Sequence, residues 1–221
     1  MDLANGQISG YVEFEIEKIL GKVNDPVSDA QIKALHNICK GYLARIKEVN
    51  ETPNPFGFLD IMALIAYFGE LTYGECDMKL DSDVTPVDRS EQNRRRFCKF
   101  MSVNMSQFGR SYSGISGEIY QQIRNGLAHC MMLFPNEEGS PRIMISHNIA
   151  FRAKKDCSGK LKFQRRDLAD DTKVTILCAE DLISDMENSV NELFADQTNQ
   201  ERLVRFSRTH VPIIGTDEFK T

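Results

Sequence analysis

Arginine followed five residues later by histidine joins two complementary chemistries. An imidazole exchanges a proton near neutral pH, and a guanidinium offers a planar fork of N–H donors that grips phosphate or carboxylate. The spacing occurs at Arg124/His129, Arg142/His147 and Arg205/His210, and the three settings differ. Arg142 and His147 fall on an alternating strand pattern, where an odd separation turns side chains to opposite faces. Arg205 is followed by Phe206 and runs toward Val211-Pro212, where a helix must end. Arg124/His129 lies inside a strongly amphipathic helical stretch, with polar Asn125 directly after the arginine.

The helical geometry of that stretch sets the problem. At about 100° per residue, Ile119, Tyr120, Ile123, Leu127, Cys130, Met131 and Phe134 share one apolar sector. Asn125 and His129, four apart, sit together on the opposite side. Arg124 lies at the edge of the apolar stripe, about 140° round from His129 on an α-helix, so the two do not simply face each other. The reach of the arginine side chain, or an interface pairing two copies of the helix, would bring them together.

The string Arg124-Asn125-Gly126-Leu127-Ala128-His129, preceded by a helix bearing Arg94 to Lys99, resembles the HEPN superfamily. Its hallmark is an arginine, a polar residue, and a histidine a few residues on, set on a helix of a small bundle. The resemblance covers residues 56–134. It implies a metal-independent endoribonuclease of toxin or defence type, needing no cofactor and acting as a homodimer whose arginines and histidines line one cleft. By that analogy His129 is the acid and base, Arg124 clamps the phosphate, and Asn125 positions the site; these three are the expected catalytic residues. A cognate antitoxin is a further implied partner. Toxins of this kind are often silenced by modification of a tyrosine two residues after the histidine, but here that position is Met131. The alternative reading is a HEPN-like module without catalysis that binds a nucleotide, an RNA or a protein partner.

Several elements must position this helix. Ser28 and Gln31 stand at capping-box spacing, and Ile32, Leu35, Cys39, Tyr42, Leu43, Ile46 and Val49 recur at helical intervals behind them. The Pro53-Asn54-Pro55 string breaks that helix. Residues 56–73 are apolar all round apart from Asp60 and Glu70, the pattern of a buried central helix. Residues 74–88 read as a polar loop, Asp88 as the start of a basic helix reaching about Phe108, and 109–117 as a Ser/Gly-rich connector. The next helix, from Glu118, is expected to stop at Pro135-Asn136. Thereafter the period falls to two in runs at 143–151, 161–163 and 172–178, which predict a three-stranded antiparallel β-meander. An acidic helix from Ala179 to about Ala195 follows, with a further helical piece at 202–206.

The expected fold is therefore mainly α: an antiparallel HEPN-like helical bundle with a small β-meander and a C-terminal helix. Residues 1–50 form an N-terminal helical region, and 51–221 carry the HEPN-like domain with the meander at about 141–178, in one compact unit.

A 221-residue chain with 41% hydrophobic and 27% charged residues can bury a sizeable core, which excludes disorder and coiled-coil rods. Its net charge of −5 argues against a protein that coats nucleic acid by overall charge. Position sharpens the average. Residues 1–90 and 174–201 are each at −7, while 91–173 hold 15 bases against 8 acids. Arg94, Arg95, Lys99, Lys154 and Lys155 are the candidate RNA contacts within that positive stretch, although solvated faces explain such runs equally well. Six cysteines lie far apart with no CxxC pair, and most read as reduced core residues. The amino terminus has no basic and apolar leader pattern, and the longest uncharged apolar run, 61–69, is far short of a span. A cytoplasmic protein without membrane association is expected.

Overall fold

A computed structural model describes residues 18–51, 55–80, 89–125, 142–167 and 173–209. The chain divides into two compact units, one formed by 41–192 and the other by 1–40 together with 193–221.

In the smaller unit, the first half of helix α1 (Asp29–Val49) is started by a reciprocal capping box. The Ser28 amide donates to Gln31 Oε1 at 2.9 Å, and the Gln31 amide donates to Ser28 Oγ at 3.4 Å. The guanidinium of Arg208 then closes the preceding turn, donating to the carbonyls of Leu20 and Asp25 at 2.7 and 2.6 Å and to Gln31 Oε1 at 3.0 Å. His36 stacks on Phe194 with centroids 4.4 Å apart.

The larger unit is built around α2 (Pro55–Leu80), the expected central helix. Phe58, Ile61, Met62, Ile65 and Phe68 are all fully buried, a demand that only an element covered on several sides can satisfy. The helix runs on through 74–80, which the sequence reading had assigned to a loop. Glu75, Met78, Lys79 and Leu80 are good helix formers and extend the end despite Gly74. Helix α3 (Arg89–Lys99) packs along α2, continues as a π-turn at Phe100–Asn104 and a 3-10 turn at Met105–Phe108, and stops at Gly109 with φ 96°. A short α4 (Ser116–Glu118) passes directly into a π-helix at Ile119–Asn125. The expected end of that helix near Pro135 lies outside the described residues.

Contact between α2 and α3 is close enough to require glycine. A β-carbon at Gly69 would stand 2.8 Å from the Arg96 carbonyl oxygen and 3.2 Å from the Phe97 amide nitrogen. Both are backbone atoms inside a packed helix pair and cannot swing aside. Gly69→Ala is therefore expected to destabilise the protein by about 1–3 kcal/mol, the overpacking cost exceeding the gain in helix propensity. Urea denaturation of the variant measures it; an unchanged or higher midpoint would show that the helices shift freely.

The β region departs from the expected meander. Strand β5 (Lys173–Cys178) is central, with β1 (Arg142–Ser146) beside it in parallel and β4 (Gln164–Asp167) antiparallel on its other edge. Met144 lies opposite Ile176, and Gln164 opposite the same residue. Between β1 and β4, strands β2 (Lys154–Lys155) and β3 (Leu161–Lys162) form a separate antiparallel hairpin. The sheet is mixed because residues 147–172 are long enough to form a 3-10 turn and a hairpin before β5 enters beside β1. Val174, Thr175, Ile176, Leu177 and Cys178 are consecutively buried, as befits a strand covered on both faces. Helix α5 (Ala179–Leu193) follows β5 directly, and α6 (Gln197–Thr209) is longer than the piece read from the sequence. His210, of the Arg205/His210 pair, falls outside the described residues, while Arg142 opens β1 and His147 follows it, the His147 ring meeting Phe58 edge-on at 4.8 Å.

Among the described residues no helix is long and apolar enough to cross a membrane. Cys39 and Cys178 are core residues as expected, burial pushing the Cys39 thiol up to about 12, whereas Cys157 is exposed in a turn.

Candidate functional site

The helix 116–125 is held from three sides. Ile119 and Ile123 are fully buried, and Tyr120, 3% exposed, meets Phe97 of α3 edge-on at 5.1 Å. The buried side chain of Gln122 accepts the amide of Ile143 at 3.0 Å, fixing the helix to the start of β1. The apolar stripe inferred from the sequence is thus the buried face over the part described.

Arg124 stands half-exposed at the rim of that stripe, its guanidinium carbon 5.3 Å from the centroid of the Tyr120 ring. This cation–π geometry orients the fork. Arg94, on the adjoining face of α3, comes within 4.0 Å of where a Gly117 β-carbon would stand and interacts electrostatically with Tyr120. The side chain of Asn125 and the whole of His129 lie outside the described residues.

The remaining candidates disperse. Arg94 donates twice to Glu91, at 2.8 and 2.9 Å, and Arg95 donates to the same carboxylate at 3.2 Å. The hydrogen bond from Arg94 and the positive charge of both arginines hold Glu91 down to about 2. Arg96 turns the other way, its Nη1 3.8 Å from Glu70. Lys99 leaves this face altogether, its ammonium 4.3 Å over the Tyr73 ring. Lys154 and Lys155 are exposed on the β2–β3 hairpin.

Sequence reasoning missed a second constellation. Arg110, in the connector read only as Ser/Gly-rich, is buried and forms ion pairs with Asp181 at 2.8 Å and with Asp185. Tyr112 Oη donates to Asp185 Oδ2 at 2.7 Å. Arg152 Nε and the amide of Ala153 donate to Asp181 at 2.9 and 2.6 Å. Burial pushes the Asp185 carboxyl up to about 6 against the pull of its Tyr112 and Arg110 partners, and burial likewise drives the Tyr112 phenol well above its usual range. With both carboxylates at 2% exposure or less, the cluster is closed to a substrate and ties the 109–112 loop and the segment before β2 to α5. Its signal was available: Asp181, Asp185 and Ser189 recur every four residues along the same stripe as Leu182, Met186 and Val190, acids placed where a helix faces its core.

Among the described residues, no group of His, Cys, Asp and Glu is arranged to hold a metal ion. Comparison of the chain with protein-family models, with curated proteins and with solved structures found no match in any of the three.

Proposed function

We propose that this chain is a metal-independent endoribonuclease of the HEPN type, acting as a homodimer with Arg124, Asn125 and His129 from both copies in one cleft. The observation that supports the reading best is the setting of Arg124: half-exposed at the rim of a buried apolar face and oriented by Tyr120. A guanidinium so placed can hold a phosphodiester and stabilise the charge that grows on it.

The π winding at Ile119–Asn125 adds support. Interruptions of this kind occur often at functional sites.

In the proposed reaction a ribose 2′-hydroxyl attacks the adjacent phosphorus and the bond to the 5′-oxygen breaks. One His129 takes the hydroxyl proton and the other supplies a proton to the departing oxygen, leaving a 2′,3′-cyclic phosphate and a 5′-hydroxyl. The test is incubation of purified protein with RNA in the presence of a chelator. Cleavage with cyclic phosphate ends is the expected result; intact RNA at high concentrations of folded protein overturns the proposal, and bound but intact RNA would favour the non-catalytic module.

A further inference from the structure

The most concentrated charge in the molecule lies away from Arg124, on the ribbon that runs from β2 through β4. Lys154, Lys155, Lys160, Lys162, Arg165 and Arg166 fall between positions 154 and 166 with Asp156 the one acid among them. Asp156 is committed to the turn: its Oδ1 accepts the amides of Ser158 and Lys160 at 2.8 and 3.0 Å and the Ser158 hydroxyl at 2.6 Å. None of the six cations forms an ion pair with a described residue, whereas Arg94, Arg95, Arg96, Arg110 and Arg152 all do.

The register makes the arrangement costly for the isolated protein. Lys154 lies directly opposite Lys162, and like charges facing each other across two strands repel. Lys160, two residues before Lys162, continues the same face. The opposite face points inward: Leu161 would touch a β-carbon at Gly109 at 3.4 Å, and Phe163 packs on Tyr112 with centroids 5.1 Å apart. Gln164 ties the ribbon to the preceding turn, donating to the carbonyls of Ala150 and Arg152 at 2.7 and 2.8 Å. The lysines are thus held on a braced ribbon, and the repulsion is not relieved by a change of strand pairing.

We infer that the outward face of this ribbon, carrying Lys154, Lys160 and Lys162, is a docking surface for the phosphate backbone of a nucleic acid, whether or not Arg124 and His129 cleave it. A small anion is a poor fit. Lys160 and Lys162 stand about 7 Å apart along β3, and Lys154 is across a strand spacing of about 4.8 Å, so the charges form an extended track rather than a converging pocket. A nucleic acid presents a dense, repeating row of negative charge to such a track. A lipid surface fits less well, because membrane-seating ribbons and helices show apolar side chains beside their cations, and here Leu161 and Phe163 are turned inward. Among the described residues, Ile149, 67% exposed in the preceding 3-10 turn, is the one large apolar side chain presented nearby. Contacts with phosphate carry no sequence information and serve to position the strand.

The experiment is fluorescence anisotropy with labelled single-stranded DNA and RNA across a range of KCl concentrations, using the full chain. DNA lacks the 2′-hydroxyl, so its binding reports on the ribbon without cleavage, and failure of the nuclease reading leaves this measurement untouched. The K154Q/K160Q/K162Q variant is expected to bind both strands roughly tenfold or more weakly and to flatten the slope of log K against log[KCl] by about 2, from 0.7 per cation lost. A control removing the same charge elsewhere, K18Q/K33Q/K40Q at three exposed lysines, should stay within about threefold of the parent. The thermal midpoint of the ribbon variant should be unchanged or higher, because a repulsive pair is gone. Equal losses in the two variants, or binding of phosphatidylserine vesicles or polyglutamate in place of nucleic acid, would overturn the inference.

Discussion

Arg110→Met is expected to destabilise the protein by about 3–5 kcal/mol, enough to unfold a domain of ordinary stability at physiological temperature. The magnitude follows from what the substitution leaves behind. Asp181 and Asp185 are at 1–2% exposure and share the Arg110 guanidinium; without it, Asp185 keeps only the Tyr112 hydroxyl, and a buried carboxylate with one neutral donor is strongly disfavoured. Removing the group as a unit should cost less. In Arg110→Met/Tyr112→Phe/Asp185→Leu no charge is stranded, and Asp181 retains Arg152 and the Ala153 amide. Urea denaturation of both variants decides the matter: the triple variant must lie closer to the parent than the single one, and a single-variant loss below about 1 kcal/mol would mean that the cluster is hydrated rather than closed.

The same cluster gives stability a pH dependence with a definite sign. The Asp185 carboxyl is raised from 3.8 to about 6 in the folded protein, so the unfolded chain releases its proton first as pH rises. The contribution of Asp185 is therefore fully present below about pH 4 and is lost as pH rises through about 6, by at most about 3 kcal/mol. Melting temperatures between pH 4 and 7 should show this fall in the parent relative to Asp185→Asn, and parallel curves for the two would remove Asp185 as its source.

These two carboxylates also mark the limit of what the sequence made legible. Helix α1 could be read with its capping box, because Ser28 and Gln31 act within one turn. Helix α2 could be read because no pattern other than burial explains apolar residues on every side. Strand order could not, because alternation of apolar residues is the same whether a neighbour runs parallel or antiparallel. The hint lay in β5 itself, where a run apolar but for Thr175 marked a strand covered on both faces. Counted as charge, Asp181 and Asp185 suggested a solvated acidic helix; only their four-residue spacing along the apolar stripe distinguished them from surface acids, and their partner Arg110 lies 71 and 75 residues away. Arg94, Arg95 and Arg96 of α3 were likewise legible as basic residues but not as residues largely satisfied by Glu91 and Glu70. At the candidate site, the buried stripe of Ile119, Tyr120 and Ile123 was legible from periodicity, while the π winding that alters which residues share a side was not.

The second large effect is the loss of RNA cleavage on substitution at the proposed site. Arg124→Ala removes the group placed to stabilise charge on the phosphate, and a single such donor ordinarily accounts for about 10²–10³ in rate. His129→Ala removes proton transfer, with an expected loss of about 10²–10⁴. Arg124→Ala should alter stability little, since Arg124 is half-exposed at the rim of the buried stripe. Mixing the two inactive proteins separates the composite cleft from a self-contained site. If arginine and histidine from both copies line one cleft, a mixed dimer holds one intact Arg124 and one intact His129 and should recover a measurable part of the rate. If each copy works alone, no molecule in the mixture has both groups, and activity stays at the level of the separate variants. Recovery requires exchange of subunits, so the mixture is refolded together and its mixed dimers are isolated by differently tagged copies before assay. Activity in the isolated mixed dimer supports the shared cleft; a mixed dimer as inactive as its parents, while wild-type dimers treated identically remain active, rules it out.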